Sequence, residues 1–187
     1  MQEAYVSVDI EADGPIPGRF SMLSLGAVAF QADGKEIGFF SANLNPLVGA
    51  GQDSETMNWW SENKEAWNIC QKGARPAKEV MQEFADWLQW LQELDYAPAF
   101  VGYPVTFDFM FVYWYLMAFV GYSAFSFSGI DIKTLAMVLL KKDFRKIGKR
   151  TMPHRWFSKR LNHKHVAVDD AREQGEMFIR MLKESRT

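Results

Sequence analysis

The chain has 187 residues, of which 48% are hydrophobic and 24% charged, with a formal net charge of −2, ordinary usage for one globular domain with a substantial core. The lone cysteine, Cys70, excludes an internal disulfide framework and a Cys-rich zinc site, and it suits a reducing, cytoplasmic compartment. A single domain over residues 1–187 is expected, and the start Met1-Gln2-Glu3-Ala4 carries no basic segment of the kind that opens a secretory or transit signal.

In chain order, Tyr5-Val6-Ser7-Val8-Asp9-Ile10-Glu11-Ala12-Asp13-Gly14 reads as a buried strand closed by a Gly-Pro turn. Ser21 to Phe30 and Glu36 to Leu44 read as the second and third strands of an antiparallel meander, with Ala32-Asp33-Gly34-Lys35 as the hairpin turn. After a Pro/Gly-containing loop, Glu55 to Trp60 and Glu62 to Gln71 read as short helices. From Ala77 to Glu93, apolar residues at Val80, Met81, Phe84, Trp87, Leu88 and Leu91 keep the three-and-four spacing of an amphipathic helix.

Ala99 to Tyr103 is a short strand ended by Pro104, and an apolar helix begins near Phe107. The uncharged run from Phe109 to Phe125, 17 residues long, is at the short end of a membrane span. Asp108 directly before it, Gly121 within it and aromatic residues scattered through its middle favour a buried core helix. No membrane association is therefore expected. Ile130 to Leu140 reads as a helix with Asp131 near its start, and Val168 to Lys183 as the last helix. Strands first, then helices with a strand returning between them, place the chain in the α/β or α+β class.

Charge is unevenly spread. Lys141, Lys142, Arg145, Lys146, Lys149, Arg150, Arg155, Lys159, Arg160 and Lys164 face a single acid, Asp143, a pattern that fits either a polyanion contact or a solvated loop. The acids are more telling. Alternate strand residues share a face, so Asp9 and Glu11 point the same way and can hold one cation between them; an edge strand with a solvated acidic face is the other reading. Asp108 follows a strand and opens a helix, where open sheets gather their functional groups, although an Asp there also suits the helix dipole. His165 precedes the last helix and Asp170 sits in its first turn, beside Asp169, both acids also being good helix starters. Oxygen-only ligands favour Mg²⁺ or Mn²⁺, and a neutral histidine beside them can take a proton from water.

Asp9-Ile10-Glu11 with Gly14, Ser24-Leu25-Gly26-Ala27-Val28, Phe107-Asp108, Asp131-Ile132-Lys133-Thr134-Leu135 and His165-x4-Asp170-Ala171 resemble, in this order, the motif blocks of the DEDDh 3'-5' exonucleases of ribonuclease H-like fold, which include proofreading exonucleases, ribonuclease T and oligoribonuclease. The resemblance spans roughly Tyr5 to Leu182. It implies a mixed central sheet of about five strands, a three-stranded antiparallel meander plus parallel strands, flanked by helices. It further implies that Asp9, Glu11, Asp108 and Asp170 bind two divalent metal ions, Mg²⁺ or Mn²⁺, and that His165 is the general base. The choice of Asp170 over Asp169 follows the family's spacing. The implied substrate is the 3' end of single-stranded nucleic acid, RNA slightly ahead of DNA, cut to 5'-mononucleotides. Phe107 and Trp60 are the candidates for stacking on its bases. Homodimers recur in the superfamily, and the tryptophan-rich stretch 59–90 is the candidate apolar interface. Tyr103-Pro104 departs from the His-Asn often found before the second-block Asp. The competing reading is a catalytically silent nucleic-acid or protein-binding module on the same fold.

Overall fold

Side-chain alternation along the first strand decides the layering. In β1 (Gln2–Ala12) the even residues Val6, Val8, Ile10 and Ala12 join one buried apolar cluster, while Tyr5 joins a second on the opposite face, as the period of two requires. The computed structural model describes residues 1–158 and 166–186. In it β1 is the middle of a five-stranded sheet with β2 (Met22–Phe30), β3 (Glu36–Asn43), β4 (Tyr96–Gly102) and β5 (Gly129–Asp131), ordered β3-β2-β1-β4-β5. The β1–β2 and β2–β3 pairs are antiparallel, and β1–β4 and β4–β5 are parallel. This is the mixed sheet of a ribonuclease H-like fold.

The meander closes at Gly34, whose φ of +94° and N–H bond to the Gln31 carbonyl (2.9 Å) form the hairpin turn. Four helices follow as expected from the pattern: α1 (Ser54–Glu62), α2 (Lys64–Gln71), α3 (Ala77–Glu93) and α4 (Val105–Phe119). Asp53 caps α1 by accepting the Thr56 N–H at 2.9 Å. The buried residues of α3 and α4, among them Val80, Phe84, Leu88, Phe111 and Tyr115, fill the cluster under the even side of β1. Pro98 is tolerated in β4 because β5 pairs only with Phe100 to Gly102, leaving the proline where β4 has β1 as its one partner.

Several stretches differ from, or add to, the sequence-based expectation. Helix α4 ends at Phe119, before the apolar run ends at Phe125, and the chain turns at Gly121 with φ +90°. Gly129 and Ile130 pair with Phe100 and Val101 as strand, and the helix α5 (Ile132–Leu140) begins only after Asp131, whose carboxylate caps it by accepting the Thr134 N–H at 2.8 Å. The basic segment contains three 3₁₀ turns, Phe144–Lys146, Lys149–Thr151 and His154–Trp156, which place Ile147, Met152 and Trp156 in the second cluster. Among the described residues no helix is long and apolar enough to cross a membrane.

The last helix, α6 (Ala167–Ser185), packs on the odd face of β1 and on β2. Its start is pressed against Gly26: a Cβ there would lie 2.2 Å from the Ala167 carbonyl carbon and the Val168 nitrogen. One turn beyond Asp170, a Cβ on Gly175 would meet the Phe30 ring at 2.4 Å. Gly26→Ala therefore overpacks the helix–sheet joint and is expected to lower stability by about 1–3 kcal/mol in urea unfolding. Gly148→Ala is the control, since its added methyl meets nothing within 4 Å and is expected to leave stability within about 0.5 kcal/mol.

Candidate active site

The sheet changes direction of winding at β1, which has an antiparallel neighbour on one side and a parallel one on the other. Such a switch opens a crevice beyond the strand ends. A cavity of about 450 Å³ lies there, lined by Asp9, Ile10, Glu11, Tyr103, Pro104, Phe107, Asp108, Lys149, Asp170 and Gln174.

Each acid reaches it by a different local device. Asp9 and Glu11 stand two apart on the odd face of β1, toward α6. Asp108 comes from the first turn of α4 and is 3% exposed. The register of β1 with β4 ends at Ser7 and Val101, which frees the Ile10 N–H, and the Asp108 carboxylate accepts it at 3.3 Å. Asp170 lies in the first turn of α6, where the helix dipole favours an anion. Its neighbour Asp169 turns outward, its side chain 46% exposed, and accepts from the Arg172 guanidinium at 3.4 Å. One carboxylate oxygen from each of Asp9, Glu11 and Asp170 lies within 4.8 Å of the others.

This proximity is costly without a cation. Burial first, then repulsion from Asp108, Glu11 and Asp170, holds the Asp9 carboxyl well above the usual aspartate range, with Lys149 pulling the other way. Burial, then Asp170 and Asp108, pushes Glu11 up to about 8. Burial pushes Asp108 up to about 8, opposed by the Ile10 N–H. A compact set of hard oxygen donors, desolvated and mutually repelling, is the donor chemistry that suits Mg²⁺ or Mn²⁺, so the residues present fit such an ion.

Of the residues singled out from sequence, Asp9, Glu11, Asp108, Asp170 and Phe107 line the same cavity. Trp60 does not: it is 2% exposed, its indole N–H donates to the Ala12 carbonyl at 3.0 Å, and it packs edge-on against Trp59 and Trp67. Its burial behind the strand end leaves it no free face for a base in this structure. His165 lies outside the described residues. Two lining residues were not singled out by the sequence reading. Gln174 donates to the Val8 carbonyl at 3.0 Å and to Asp9 Oδ1 at 3.3 Å; its place four residues after Asp170, on the same helix face, was the available signal. Lys149 was one cation in a run of ten, with nothing in its spacing to single it out.

The family described as the 3'-5' exoribonuclease Rv2179c-like domain matches residues 4–182. The chain is 30% identical over 183 residues to the 3'-5' DNA exonuclease Cap18 of Escherichia coli, covering 95% of this chain and 90% of that protein. Among solved structures, a full-length 3'-exonuclease superposes with a TM-score of 0.73 at 13% identity, over 98% of this chain and 83% of that one. Pop2p of S. pombe, in a form with bound Mg²⁺ and Mn²⁺, gives 0.66 at 13% identity, over 94% and 81%. The zinc-bound complex of E. coli exonuclease I with single-stranded DNA also gives 0.66 at 13%, over 100% of this chain but 41% of that one. At these identities the structural likeness speaks for the fold.

In the metal-free protein the raised carboxyls keep protons that the unfolded chain releases above the ordinary glutamate value of 4.5, so stability is full below that value and falls as pH rises toward about 8. Thermal melts in EDTA are expected to show Tm dropping by roughly 5 °C or more between pH 5 and pH 8, with millimolar Mn²⁺ reversing the drop. Asp108→Asn removes one repelling charge, and it is expected to raise the EDTA Tm at pH 8 while reducing the gain from Mn²⁺.

Proposed function

The chain belongs to the 3'-5' exoribonuclease Rv2179c-like family within the DEDDh 3'-5' exonucleases, and from that premise we propose that it removes 5'-mononucleotides from the 3' end of single-stranded nucleic acid, using two divalent cations and a histidine base. The observation that carries this reading is the meeting of Asp9, Glu11 and Asp170 oxygens within 4.8 Å in the cavity that Asp108 also lines.

Asp9, Glu11, Asp108 and Asp170 hold the cations, two Mg²⁺ or Mn²⁺ ions, in this reading. When bound, such ions supply Lewis-acid charge at the scissile phosphate and make water a stronger acid. Gln174 fixes the Asp9 carboxylate through its 3.3 Å bond, and the Ile10 N–H fixes Asp108, so both acids are oriented before substrate arrives. His165, two residues before α6, takes the proton from the attacking water. The new bond joins that water's oxygen to phosphorus, the bond to the 3'-oxygen of the preceding nucleotide breaks, and that oxygen takes a proton from solvent to become the 3'-hydroxyl of the shortened strand. Phe107, at the cavity wall, offers a ring face to the terminal base, a contact that tolerates any sequence.

RNA is placed ahead of DNA, in keeping with the family's description as an exoribonuclease. The DNA exonuclease activity in the name of the E. coli relative favours DNA as the second reading. A cytoplasmic setting, argued from the lone buried Cys70, belongs to the same proposal.

Matched 5'-labelled single-stranded RNA and DNA, incubated in Mn²⁺, are expected to give ladders that shorten from the 3' end, with RNA shortened faster. EDTA is expected to abolish the ladder, and His165→Ala to slow it by about a hundred- to ten-thousand-fold. Shortening from the 5' end, or cleavage that persists in EDTA, sinks the proposal; faster loss of DNA selects the second reading.

A further inference from the structure

The proposed chemistry accounts for the acids of the cavity but leaves its cation without a task. Lys149 is the one lysine or arginine among the described residues that line it. It does not arrive there on a loose loop. The turn that carries it is anchored on both sides by apolar residues in the second core cluster, Ile147 at 4% and Met152 at 5% exposure. Thr151 clasps the turn from within: its N–H donates to the Gly148 carbonyl at 2.8 Å, and its hydroxyl accepts from the Gly148 N–H at 3.0 Å. At the tip, the ammonium stands 5.9 Å from the centroid of the Tyr103 ring, another wall of the same cavity, where the aromatic face limits its directions.

Nearby cations of the segment are differently engaged. Lys146 pairs with Asp143 at 2.6 Å and Arg155 with Glu184 at 2.6 Å. The Lys149 ammonium forms no salt bridge with the described residues, and the residue is exposed. A fixed positive charge in a site that gathers metal cations works against their binding, since like charges at such range repel. The arrangement becomes favourable once an anion lies between the lysine and the acids, and the substrate brings a phosphodiester to that place.

Resting on the exonuclease reading above, we propose that Lys149 pairs with the scissile phosphate itself. Its ammonium binds a non-bridging oxygen of the bond being cut, adding charge where the five-coordinate phosphorus becomes more negative. The lysine donates a hydrogen bond and transfers no proton, so the balance of the hydrolysis is unchanged. Lys149 is thereby a catalytic residue separate from the four acids and the histidine.

The test uses two substrates with the full chain in Mn²⁺: the p-nitrophenyl ester of thymidine 5'-monophosphate, whose single phosphate is the scissile one, and a single-stranded 12-mer. Lys149→Gln is expected to lower kcat/KM on both by a similar factor, about ten- to a hundredfold, with Tm unchanged because the side chain is exposed. Lys149→Arg is expected to recover most of the loss. A defect confined to the 12-mer would place the lysine on an upstream phosphate and overturn the assignment. Equal activity of Lys149→Gln and wild type on both substrates, or no recovery in Lys149→Arg at unchanged Tm, would overturn it as well. A wild-type protein that cuts neither substrate defeats the exonuclease reading first, and this one with it.

Discussion

Helix α6 lies closer to the sheet than any side chain larger than hydrogen permits at two points, Gly26 below its first turn and Gly175 further along its underside. The position of the site depends on this contact. Gly26 is the register partner of Asp9, so the helix is pressed down at the strand position where the first acid emerges. The first turn of the helix then brings Asp170 within reach of Asp9 and Glu11, and the next turn brings Gln174 onto both the Val8 carbonyl and Asp9. A larger residue at Gly26 would lift the helix start and carry Asp170 away with it. The same small residue that reads as a weak point in a strand is thus the geometric condition for a cluster of three carboxylates.

That cluster works against the fold that builds it. Asp9, Glu11 and Asp108 are all held above their ordinary pKa values, burial being the first cause in each case. The opposing stability comes from elsewhere in the molecule. Two apolar clusters sandwich the sheet, one under α3 and α4 and one under α5 and α6, and the Tyr115 hydroxyl accepts the buried Met22 N–H at 2.7 Å, tying the apolar helix α4 to the sheet. Asp108 is partly relieved by the Ile10 N–H that β1 offers, and Asp9 by the charge of Lys149. Stability given up at a charged site and recovered in an apolar core is the usual trade between activity and stability.

How much of this was legible in the sequence depended on whether a signal was local. The meander and α3 follow from periods of 2 and about 3.6 residues, and the bounds of β2, β3 and α3 fall within two residues of those read from sequence. The strand β5 has three residues, too few for any period to appear, and it exists because β4 offers an edge. Helix α4 is apolar on nearly every side, so pattern alone could not say where it stops; Met110, Trp114 and Met117 remain exposed on it. The acids Asp9 and Glu11 were legible as a pair on one strand face, whereas the outward turn of Asp169 and the inward turn of Asp170 needed the helix start to be placed to within one residue. In the basic segment, the apolar anchors Ile147, Met152 and Trp156 are spaced five and four apart among charges, a spacing that matches neither helix nor strand. Without those anchors in view, Lys149 looked like any other member of a charged run.

The position of Lys149 also bears on the order in which a site of this kind fills. Four acids repel a phosphate chain as strongly as they attract metal ions, and a lysine at the mouth has the opposite preferences. On the proposed reading, each metal ion that enters neutralises acid charge and makes the cavity more hospitable to a phosphodiester, while a bound phosphodiester shields the lysine and makes it more hospitable to metal. Binding of the two is then mutually favourable, and by linkage the gain is the same whichever is counted first. The net charge of −2 says nothing of this, because the effect arises from opposite charges that line one cavity.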